Sequence, residues 1–265
     1  MKILKTLVNR LKQKIYPKLK NPKGEIPKIF FCHVPKCAGT SISTEIQKKI
    51  YSKYNIGTFR IVPEASFNSA TLLSIDMMKV RKIILAYNLS DPYNYFGTGH
   101  VYCTPNILNS FSNEWNFITI LRNPIDRWIS EYVYNTYKTD KWAKNTLPLN
   151  DYLNSKTGKL TGISYVKYFS SIPDNYNGKM DEFIEEAIEN LNHFYIIGIL
   201  EKLDKFTKTF KLKFNSEIVL PKINPSPNTQ IFAKIKSNEI LLEKINNLCK
   251  ADMEIYQKIV KLSEF

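Results

Sequence analysis

The 265-residue sequence contains no long apolar run. It has only four cysteines and three histidines. No window approaches the roughly 18 apolar residues that a membrane-spanning helix needs, and no apolar signal-peptide core is present, so we do not expect a single-pass membrane protein. Cys32, Cys37, Cys103 and Cys249 follow no zinc-binding spacing. The small number of cysteines and their spacing favour a reduced, cytoplasmic protein without a metal site.

Acidic residues are missing from the first 23 positions, where eight Lys or Arg residues lie. The formal net charge of the chain is +14, so about half of the basic excess belongs to this segment. An excess of basic residues is typical of proteins that bind nucleic acid, an anionic membrane or a polyanionic substrate. Zinc-finger, RNP and basic-zipper patterns are absent, so we do not expect a nucleic-acid partner.

Residues 1–20 have the pattern of an amphipathic helix with lysines around most of its surface. Its apolar face carries Leu4, Leu7, Val8, Leu11 and Ile15. The pattern predicts either a helix at an anionic membrane surface, on the cytoplasmic face, or a helix that packs on its own domain or on a partner. A linker with Pro22, Gly24 and Pro27 follows, so we divide the chain into a basic leader and linker at 1–27 and a domain at 28–265.

From Lys28 onward, apolar β-branched segments alternate with amphipathic segments, which predicts an α/β fold with a central, mostly parallel sheet flanked by helices. We predict strands near 28–33, 57–62, 81–87, 116–121 and 194–199. We predict helices near 40–54, 69–79, 125–138, 161–171, 179–192, 201–212 and 237–262. Ligands of such folds bind at the carboxyl ends of the strands, so the loops there are the candidate sites.

The segment FFCHVPKCAGTS at residues 30–41 has the order of a strand, a small-residue loop and a helix start. Lys36 supplies a point charge, and Gly39 lets backbone N–H groups approach an anion. Thr40 and Ser41 add hydroxyl groups. A Walker A loop has its lysine after its glycines, whereas Lys36 precedes Gly39, which disfavours an ordinary ATP-dependent kinase. The segment predicts a phosphate site, with a turn that merely caps a helix as the alternative.

The segment FITILRNPIDRWISEY at residues 117–132 repeats this order. Arg122 follows the buried strand, and its planar guanidinium can donate two parallel hydrogen bonds to a phosphate. Ser130 lies about two turns into the following helix. We interpret Arg127 and Glu131, four residues apart, as a surface pair on that helix. Two anion sites on one sheet predict a ligand with phosphate at two places.

Together, HVPKCAGTS and ILRNPIDRWISEY resemble the motifs of carbohydrate O-sulfotransferases that use 3′-phosphoadenosine 5′-phosphosulfate (PAPS), in particular the heparan sulfate 2-O- and 6-O-sulfotransferase branch. Weaker matches are Gly99-His100, the segment at 194–206 and DMEIY at 252–256. The resemblance implies a P-loop-like three-layer fold and transfer of a sulfuryl group to a carbohydrate hydroxyl.

The resemblance also implies roles for individual residues. The 5′-phosphosulfate would be held by Lys36, Gly39, Thr40 and Ser41. Lys36 would also neutralise charge on the bridging oxygen, and the 3′-phosphate would be bound by Arg122 and Ser130. One departure is Cys37-Ala38, where the family usually has Thr-Gly.

A base must take the proton of the acceptor hydroxyl, and histidine titrates in the right range. His100 follows Phe96–Gly99, which we interpret as a glycine-rich turn that presents it in a cleft. Its place between the two motifs resembles that of the family's catalytic histidine. We interpret His33 as a structural or donor-site residue and His193 as a cap or packing residue. Glu64 is a second candidate base.

The aromatic stretch at 128–142, together with nearby lysines, predicts a carbohydrate acceptor of anionic character, such as a surface or capsular polysaccharide or a lipid-linked precursor. Two alternatives stay open at this point. One is a non-catalytic protein that binds a nucleotide and a membrane or polyanion, and the departure at Cys37-Ala38 keeps it open. The other is a P-loop-like small-molecule kinase.

Overall fold

The structure, a computed structural model, describes residues 26–220 and 228–262. The predicted leader at 1–20 lies outside the described residues, as does nearly all of the linker that follows it. Within the described residues, no helix is long and apolar enough to cross a membrane.

Five parallel strands form the central sheet. They are β1 (Lys28–Cys32), β2 (Gly57–Ile61), β3 (Asn94–Gly99), β4 (Trp115–Leu121) and β5 (Ile196–Ile199). Their order in the sheet is β2-β3-β1-β4-β5. Four of the residues of β1 and six of the seven of β4 are buried, as expected for strands covered on both faces. The predicted α/β fold with a parallel central sheet is confirmed.

Helices connect the strands and cover both faces of the sheet. The first five are α1 (Gly39–Ile46), α2 (Pro63–Leu73), α3 (Met77–Ser90), α4 (Pro105–Phe111) and α5 (Pro124–Tyr137). Next come α6 (Leu149–Asn154), α7 (Lys156–Gly162), α8 (Ser164–Phe169), α9 (Asp181–Leu191) and α10 (Leu203–Phe214). The last are α11 (Thr229–Lys236), α12 (Glu239–Leu248) and α13 (Lys250–Leu262). A π-helical turn (Gln47–Tyr51) extends α1, and a 3₁₀ turn (Leu200–Lys202) precedes α10.

The direction of the crossovers separates the helices into two layers. The connection from β1 through α1 to β2 runs toward one edge of the sheet, whereas the connections through α3, α4 and α5 run toward the other. Right-handed crossovers therefore place α1 on one face and α3, α4 and α5 on the opposite face. This arrangement confirms the three-layer fold, and it opens a crevice at the carboxyl end of β1, between β1 and its neighbours β3 and β4.

The prediction of a strand at 81–87 is wrong, because these residues belong to α3. The side chain of Asp76 caps this helix by accepting hydrogen bonds from the N–H groups of Met78 and Lys79, at 2.7 and 2.9 Å. Val80, Leu85 and Leu89 are buried along it with helical spacing. The apolar run at 83–85 therefore belongs to a helix that covers the sheet.

The missing strand is β3, which includes the residues interpreted above as a glycine-rich turn. A Cβ atom at Gly97 would overlap the ring of Phe59 on β2, and one at Gly99 would lie 2.6 Å from the Cβ atom of Ile61. Glycine in β3 thus leaves room for the large side chains of the neighbouring strand. The interpretation of Phe96–Gly99 as a turn is wrong for this reason.

The second hydrophobic core lies away from the sheet, where α11 and α12 pack on α5. Trp128 and Tyr132 are buried in it, whereas Tyr134 and Tyr137 are exposed. The predicted single helix at 237–262 is wrong, because the chain divides into α12 and α13 at Cys249. The aromatic stretch at 128–142 is therefore partly core and partly surface.

Candidate active site

The two motifs meet at the carboxyl ends of β1 and β4, which are adjacent strands. The hydroxyl of Thr119 donates a hydrogen bond to the carbonyl oxygen of Cys32, at 2.9 Å, and so ties the two strands together near their ends. Beyond the strands, the guanidinium of Arg122 donates to the carbonyl oxygen of Lys36, at 3.2 Å. The two segments that the sequence predicts to bind anions are therefore in contact.

Two residues in the left-handed region shape the loop that connects β1 to α1. They are Lys36, with φ 65°, and Ala38, with φ 57°. Ala38 keeps this conformation without glycine, at a cost of about 1–2 kcal/mol. Because Ala38 gives α1 no side-chain cap, the N–H groups of the first helical turn stay available for an anion. The departure from the family motif at Ala38 thus preserves the turn.

Gly39 begins α1 directly beneath the ring of His33. A Cβ atom at this position would overlap the His33 side chain. Thr40 and Ser41, which follow, are exposed. Glycine is therefore needed here for the packing of the imidazole as well as for access to the backbone.

The Lys36 ammonium lies on the face of an aromatic ring, with Nζ 3.7 Å from the ring centroid of Tyr134. Burial lowers the pKa of Lys36 to about 8; the charge of Glu131 opposes this shift, and the charges of Arg122 and Lys138 add to it. A cation that is partly desolvated and close to other cations gains from an anionic ligand. The contact with Tyr134 holds the Lys36 side chain at the site, and a bound anion would stabilise its protonated form.

Arg122 and Ser130 occupy the β4–α5 segment, as the second motif predicts. Arg122 is half-buried, and its backbone N–H donates to the hydroxyl oxygen of Tyr165, at 2.8 Å. Its guanidinium carbon lies 5.8 Å from the ring centroid of Phe232 on α11. Ser130 is 7% exposed, and its hydroxyl makes no hydrogen bond to another described residue. Both polar groups keep hydrogen-bonding capacity for a ligand.

His100 lies at the carboxyl end of β3, immediately after Gly99. Its Nδ1 atom lies 2.6 Å from the carbonyl oxygen of His33, and the two imidazole rings are 4.1 Å apart. A carbonyl oxygen only accepts, so Nδ1 carries the proton and Nε2 keeps a free lone pair. Burial lowers the pKa of His100 to about 4 and that of His33 well below its usual value. His100 is therefore a neutral imidazole with a basic nitrogen at neutral pH.

A pocket of about 240 Å³ brings His100 together with the start of α1. Its lining includes His33, Thr40, Arg60, Thr98 and His100. Lys36, Arg122 and Ser130 lie outside this lining. The candidate base His100 and Thr40 of the first motif therefore line the same pocket, and Arg60 of β2 lies at its rim.

The other candidate bases lie elsewhere. His193 is exposed and lies three residues before β5, at the amino end of the sheet and opposite the motifs. Glu64 is exposed in the first turn of α2, next to Pro63, which lines the pocket. Position thus favours His100 over His193 as the group that meets a substrate at this site.

Comparison with known proteins places the chain in a family. Residues 25–258 match a family model described as the sulfotransferase family. This chain belongs to the sulfotransferase family. The resemblance predicted from the two motifs is thereby confirmed.

The curated relatives that match this sulfotransferase-family chain are proteins named heparan-sulfate 6-O-sulfotransferase 2. The human and the mouse protein are each 25% identical to it over 178 residues, 55% of this chain. The alignment covers 29% of the human protein and 28% of the mouse protein. The chain thus matches less than a third of the length of these relatives.

Solved sulfotransferase structures are also similar to it. One is mouse sulfotransferase SULT7A1 complexed with PAP, with a TM-score of 0.40 and 18% identity, over 83% of this chain and 63% of that chain. Another is a sulfotransferase from Alicyclobacillus acidocaldarius, with a TM-score of 0.41 and 11% identity, over 86% of this chain and 95% of that chain.

Arg127 of this sulfotransferase-family member is fully buried, so its interpretation as part of a surface pair is wrong. Its guanidinium contacts Glu131, at 2.8 Å, and Asp252 of α13, at 3.8 Å. It also donates to the carbonyl oxygen of Thr161 on α7. Burial opposes the charge of Arg127, but the two carboxylates more than offset this effect and raise its pKa.

Asp252 and Tyr165 connect this buried arginine to the anion site. The Asp252 carboxylate accepts hydrogen bonds from the backbone N–H groups of Tyr165 and Val166, at 2.9 and 3.2 Å. The hydroxyl of Tyr165 in turn donates to the carbonyl oxygen of Arg122. Sequence reasoning assigned no role to Asp252, although DMEIY at 252–256 was a weak family match. The network fixes the backbone from which the Arg122 side chain extends.

Proposed function

We propose that this protein transfers a sulfuryl group from PAPS to a hydroxyl group of an anionic carbohydrate. The observation that supports this most directly is the hydrogen bond from Arg122 to the carbonyl oxygen of Lys36. This hydrogen bond brings together two segments, each of which is suited to bind a phosphate group. A ligand with phosphate groups at two positions fits such a site, as a 3′-phosphorylated nucleotide does.

The residues present fit this donor. The uncapped start of α1, with Gly39, Thr40 and Ser41, offers N–H and hydroxyl donors to the 5′-phosphosulfate. Lys36 adds a positive charge beside them, at the bridging oxygen. When bound, PAPS supplies the sulfuryl group. These groups stabilise the charge that develops as its bond to the phosphate breaks.

The 3′-phosphate would bind at the β4–α5 segment. Arg122 can donate two parallel hydrogen bonds to it, and Ser130 can donate one from its hydroxyl, which has no hydrogen-bond partner among the described residues. Because AMP has no phosphate at this position and ATP has its additional phosphates at the other end, this pair of residues would separate PAPS from both nucleotides.

His100 would act as the general base. Its Nε2 atom takes the proton of the acceptor hydroxyl, a bond forms between that oxygen and sulfur, and the bond between sulfur and the phosphate oxygen breaks. His33 holds the base in the required tautomer through the hydrogen bond to Nδ1. Positioning and charge stabilisation would supply most of the acceleration, as in phosphoryl transfer.

An anionic carbohydrate acceptor is supported by the names of the curated relatives and by the positive net charge of the sequence. The Arg60 side chain at the rim of the pocket is one such positive group.

Calorimetric titration of the purified protein with adenosine 3′,5′-bisphosphate tests the donor, with AMP and ATP as controls. We expect binding that depends on the 3′-phosphate, followed by transfer of label from PAPS to an acidic glycan. Equal binding of AMP would contradict the proposal, and stronger binding of ATP would favour the kinase alternative. Selective nucleotide binding without transfer to any glycan would favour a non-catalytic protein.

A further inference from the structure

A second cavity, of about 940 Å³, is lined by none of the residues placed in the candidate active site above. Its walls are the first turns of α3, the segment between β3 and α4, parts of α7 and α8, residues 170–175 and Glu186 of α9. The volume is in the range of cavities that bind small organic ligands. We call it the lysine cavity, because Lys79, Lys82, Lys156 and Lys167 line it.

The lysine cavity is connected to the candidate base through the chain and through one arginine. Tyr102 and Thr104, which line it, follow His100 by two and four residues, so their Cα atoms lie within about 7 and 14 Å of the His100 Cα atom. Arg81 of α3 is buried and donates to the carbonyl oxygen of His100, at 2.9 Å. The wall of the cavity therefore begins two residues after the candidate base, at the same edge of the sheet.

Three of the four lysines have no anionic partner in the part of the chain that the structure describes. Lys79, Lys82 and Lys156 form no ion pair there, and each is at least partly exposed. Lys167 is different, because it is 8% exposed and its Nζ lies 2.8 Å from a carboxylate oxygen of Asp174. The cavity thus offers three ammonium groups to a ligand.

The carboxylates at the cavity are already engaged. Asp76 accepts the two N–H groups at the start of α3, and Asp174 pairs with Lys167. Glu186 accepts hydrogen bonds from the backbone N–H and the hydroxyl of Ser171, at 2.6 and 2.8 Å. Among the described residues, none of these carboxylates forms an ion pair with Lys79, Lys82 or Lys156, and the lining carries four lysines against three carboxylates.

Thr104 provides an independent sign that a ligand binds here. Its side chain is 7% exposed, lines the cavity, and has a hydroxyl oxygen without a hydrogen-bond partner among the described residues. Thr104 precedes α4 in the N-cap position, yet its hydroxyl does not cap that helix. A buried hydroxyl without a partner is unfavourable, and a polar ligand atom in the cavity would satisfy it.

We propose that the lysine cavity binds an acidic sugar residue of the acceptor, next to the sugar that His100 deprotonates. Lys79, Lys82 and Lys156 would contact its carboxylate or sulfate group, and the Thr104 hydroxyl would hydrogen-bond to one of its oxygens. This inference rests on the proposed function, because it takes the acceptor to be a glycan. It adds that acidic glycans are selected at a defined place on the protein.

Two triple variants of the full chain test the charge. Lys79→Ala/Lys82→Ala/Lys156→Ala removes the three free ammonium groups. Lys205→Ala/Lys208→Ala/Lys258→Ala is the matched control, because it removes the same charge from exposed positions on α10 and α13. The probes are a heparin hexasaccharide, a hyaluronan hexasaccharide with carboxylates alone, neutral maltohexaose, and adenosine 3′,5′-bisphosphate.

For the wild type we expect at least one acidic hexasaccharide to bind more tightly than maltohexaose. The cavity triple variant should bind that hexasaccharide about ten-fold more weakly, and the control triple variant should bind it as the wild type does. The comparison of heparin with hyaluronan shows whether sulfate or carboxylate is recognised. Equal weakening by both triple variants, or no preference of the wild type for acidic probes, would overturn the proposal.

Thr104→Val tests the unpaired hydroxyl while keeping the shape of the side chain. We expect a urea midpoint equal to or above that of the wild type, and weaker binding of the same hexasaccharide, by about three- to ten-fold. Unchanged affinity would overturn the part assigned to Thr104.

Adenosine 3′,5′-bisphosphate should bind equally to all these variants. Its failure to bind the wild type would refute the proposed donor, whereas the hexasaccharide comparison would still report on the cavity.

Discussion

His100 donates a hydrogen bond from Nδ1 to the carbonyl oxygen of His33, at 2.6 Å, between the ends of strands β3 and β1. The two residues are 67 positions apart in the sequence, and the parallel pairing of their strands brings them together. The bond leaves Nε2 as the only basic nitrogen of His100. Burial lowers the pKa of His100 to about 4, so this nitrogen is available over most of the physiological pH range.

The variant His100→Asn should lose sulfuryl transfer and keep nucleotide binding. The Asn amide can still donate to the His33 carbonyl oxygen, but it provides no basic nitrogen. We expect the transfer rate to fall about 10²–10⁴-fold in an assay with labelled PAPS. Calorimetry should give wild-type affinity for adenosine 3′,5′-bisphosphate. A large loss of that affinity would instead identify His100 as part of the donor site.

The variant Arg122→Ala should lose selectivity for a 3′-phosphate. Without the guanidinium, affinity for adenosine 3′,5′-bisphosphate should fall by about ten-fold or more, while affinity for AMP changes much less. Arg122→Lys is the control, because it keeps the charge but not the two parallel donors, and it should give an intermediate loss. If AMP and the bisphosphate lose affinity equally, the residue acts elsewhere than at the 3′-phosphate.

Nucleotide binding should weaken as pH rises above about 8. The pKa of Lys36 is lowered to about 8 by burial, and a bound phosphate would raise it again. Binding therefore takes up a proton in this range, and affinity should fall by up to about ten-fold per pH unit above pH 8. The control is Lys36→Arg, whose guanidinium stays charged and whose affinity should not change over this range. A flat profile for the wild type would contradict the role given to the Lys36 charge.

The variant Asp252→Ala should be strongly destabilised. It leaves the buried Arg127 with one carboxylate fewer and two backbone N–H groups without their acceptor. We expect the free energy of unfolding, measured in urea, to fall by about 3–5 kcal/mol. The surface pair of Asp126 with Lys236, at 2.7 Å, provides the control, since Asp126→Ala should cost less than about 1 kcal/mol. A similar small loss in both variants would mean that the buried network contributes little.

Local sequence was sufficient for the elements that carry the two motifs. In residues 28–46 and 115–137, a strand, a loop and a helix follow each other without interruption, and each obeys its own hydrophobic period. The residues of the first motif and Arg122 therefore stand at strand and helix ends, where they were predicted. The same two segments were sufficient to identify the family.

Interactions between distant segments decided what local sequence could not. The run at 81–87 has the composition of a strand, and only its packing as α3 reveals a helix. Gly97 and Gly99 look like turn residues until the large side chains of β2 are placed against them. Their effect depends on a neighbouring strand, which no local pattern contains.

The sequence by itself determined the α/β fold, the family and the residues at the ends of β1 and β4, because these follow from hydrophobic period and contiguous motifs. Only the tertiary structure decided that Arg127 is buried and that His100 has a fixed tautomer. Arg127 has a four-residue spacing from Glu131 that is typical of a surface pair, but its other partners come from positions 161 and 252. Whether a charge is exposed or buried depends on which distant segments pack on it, and that is settled only when the chain has folded.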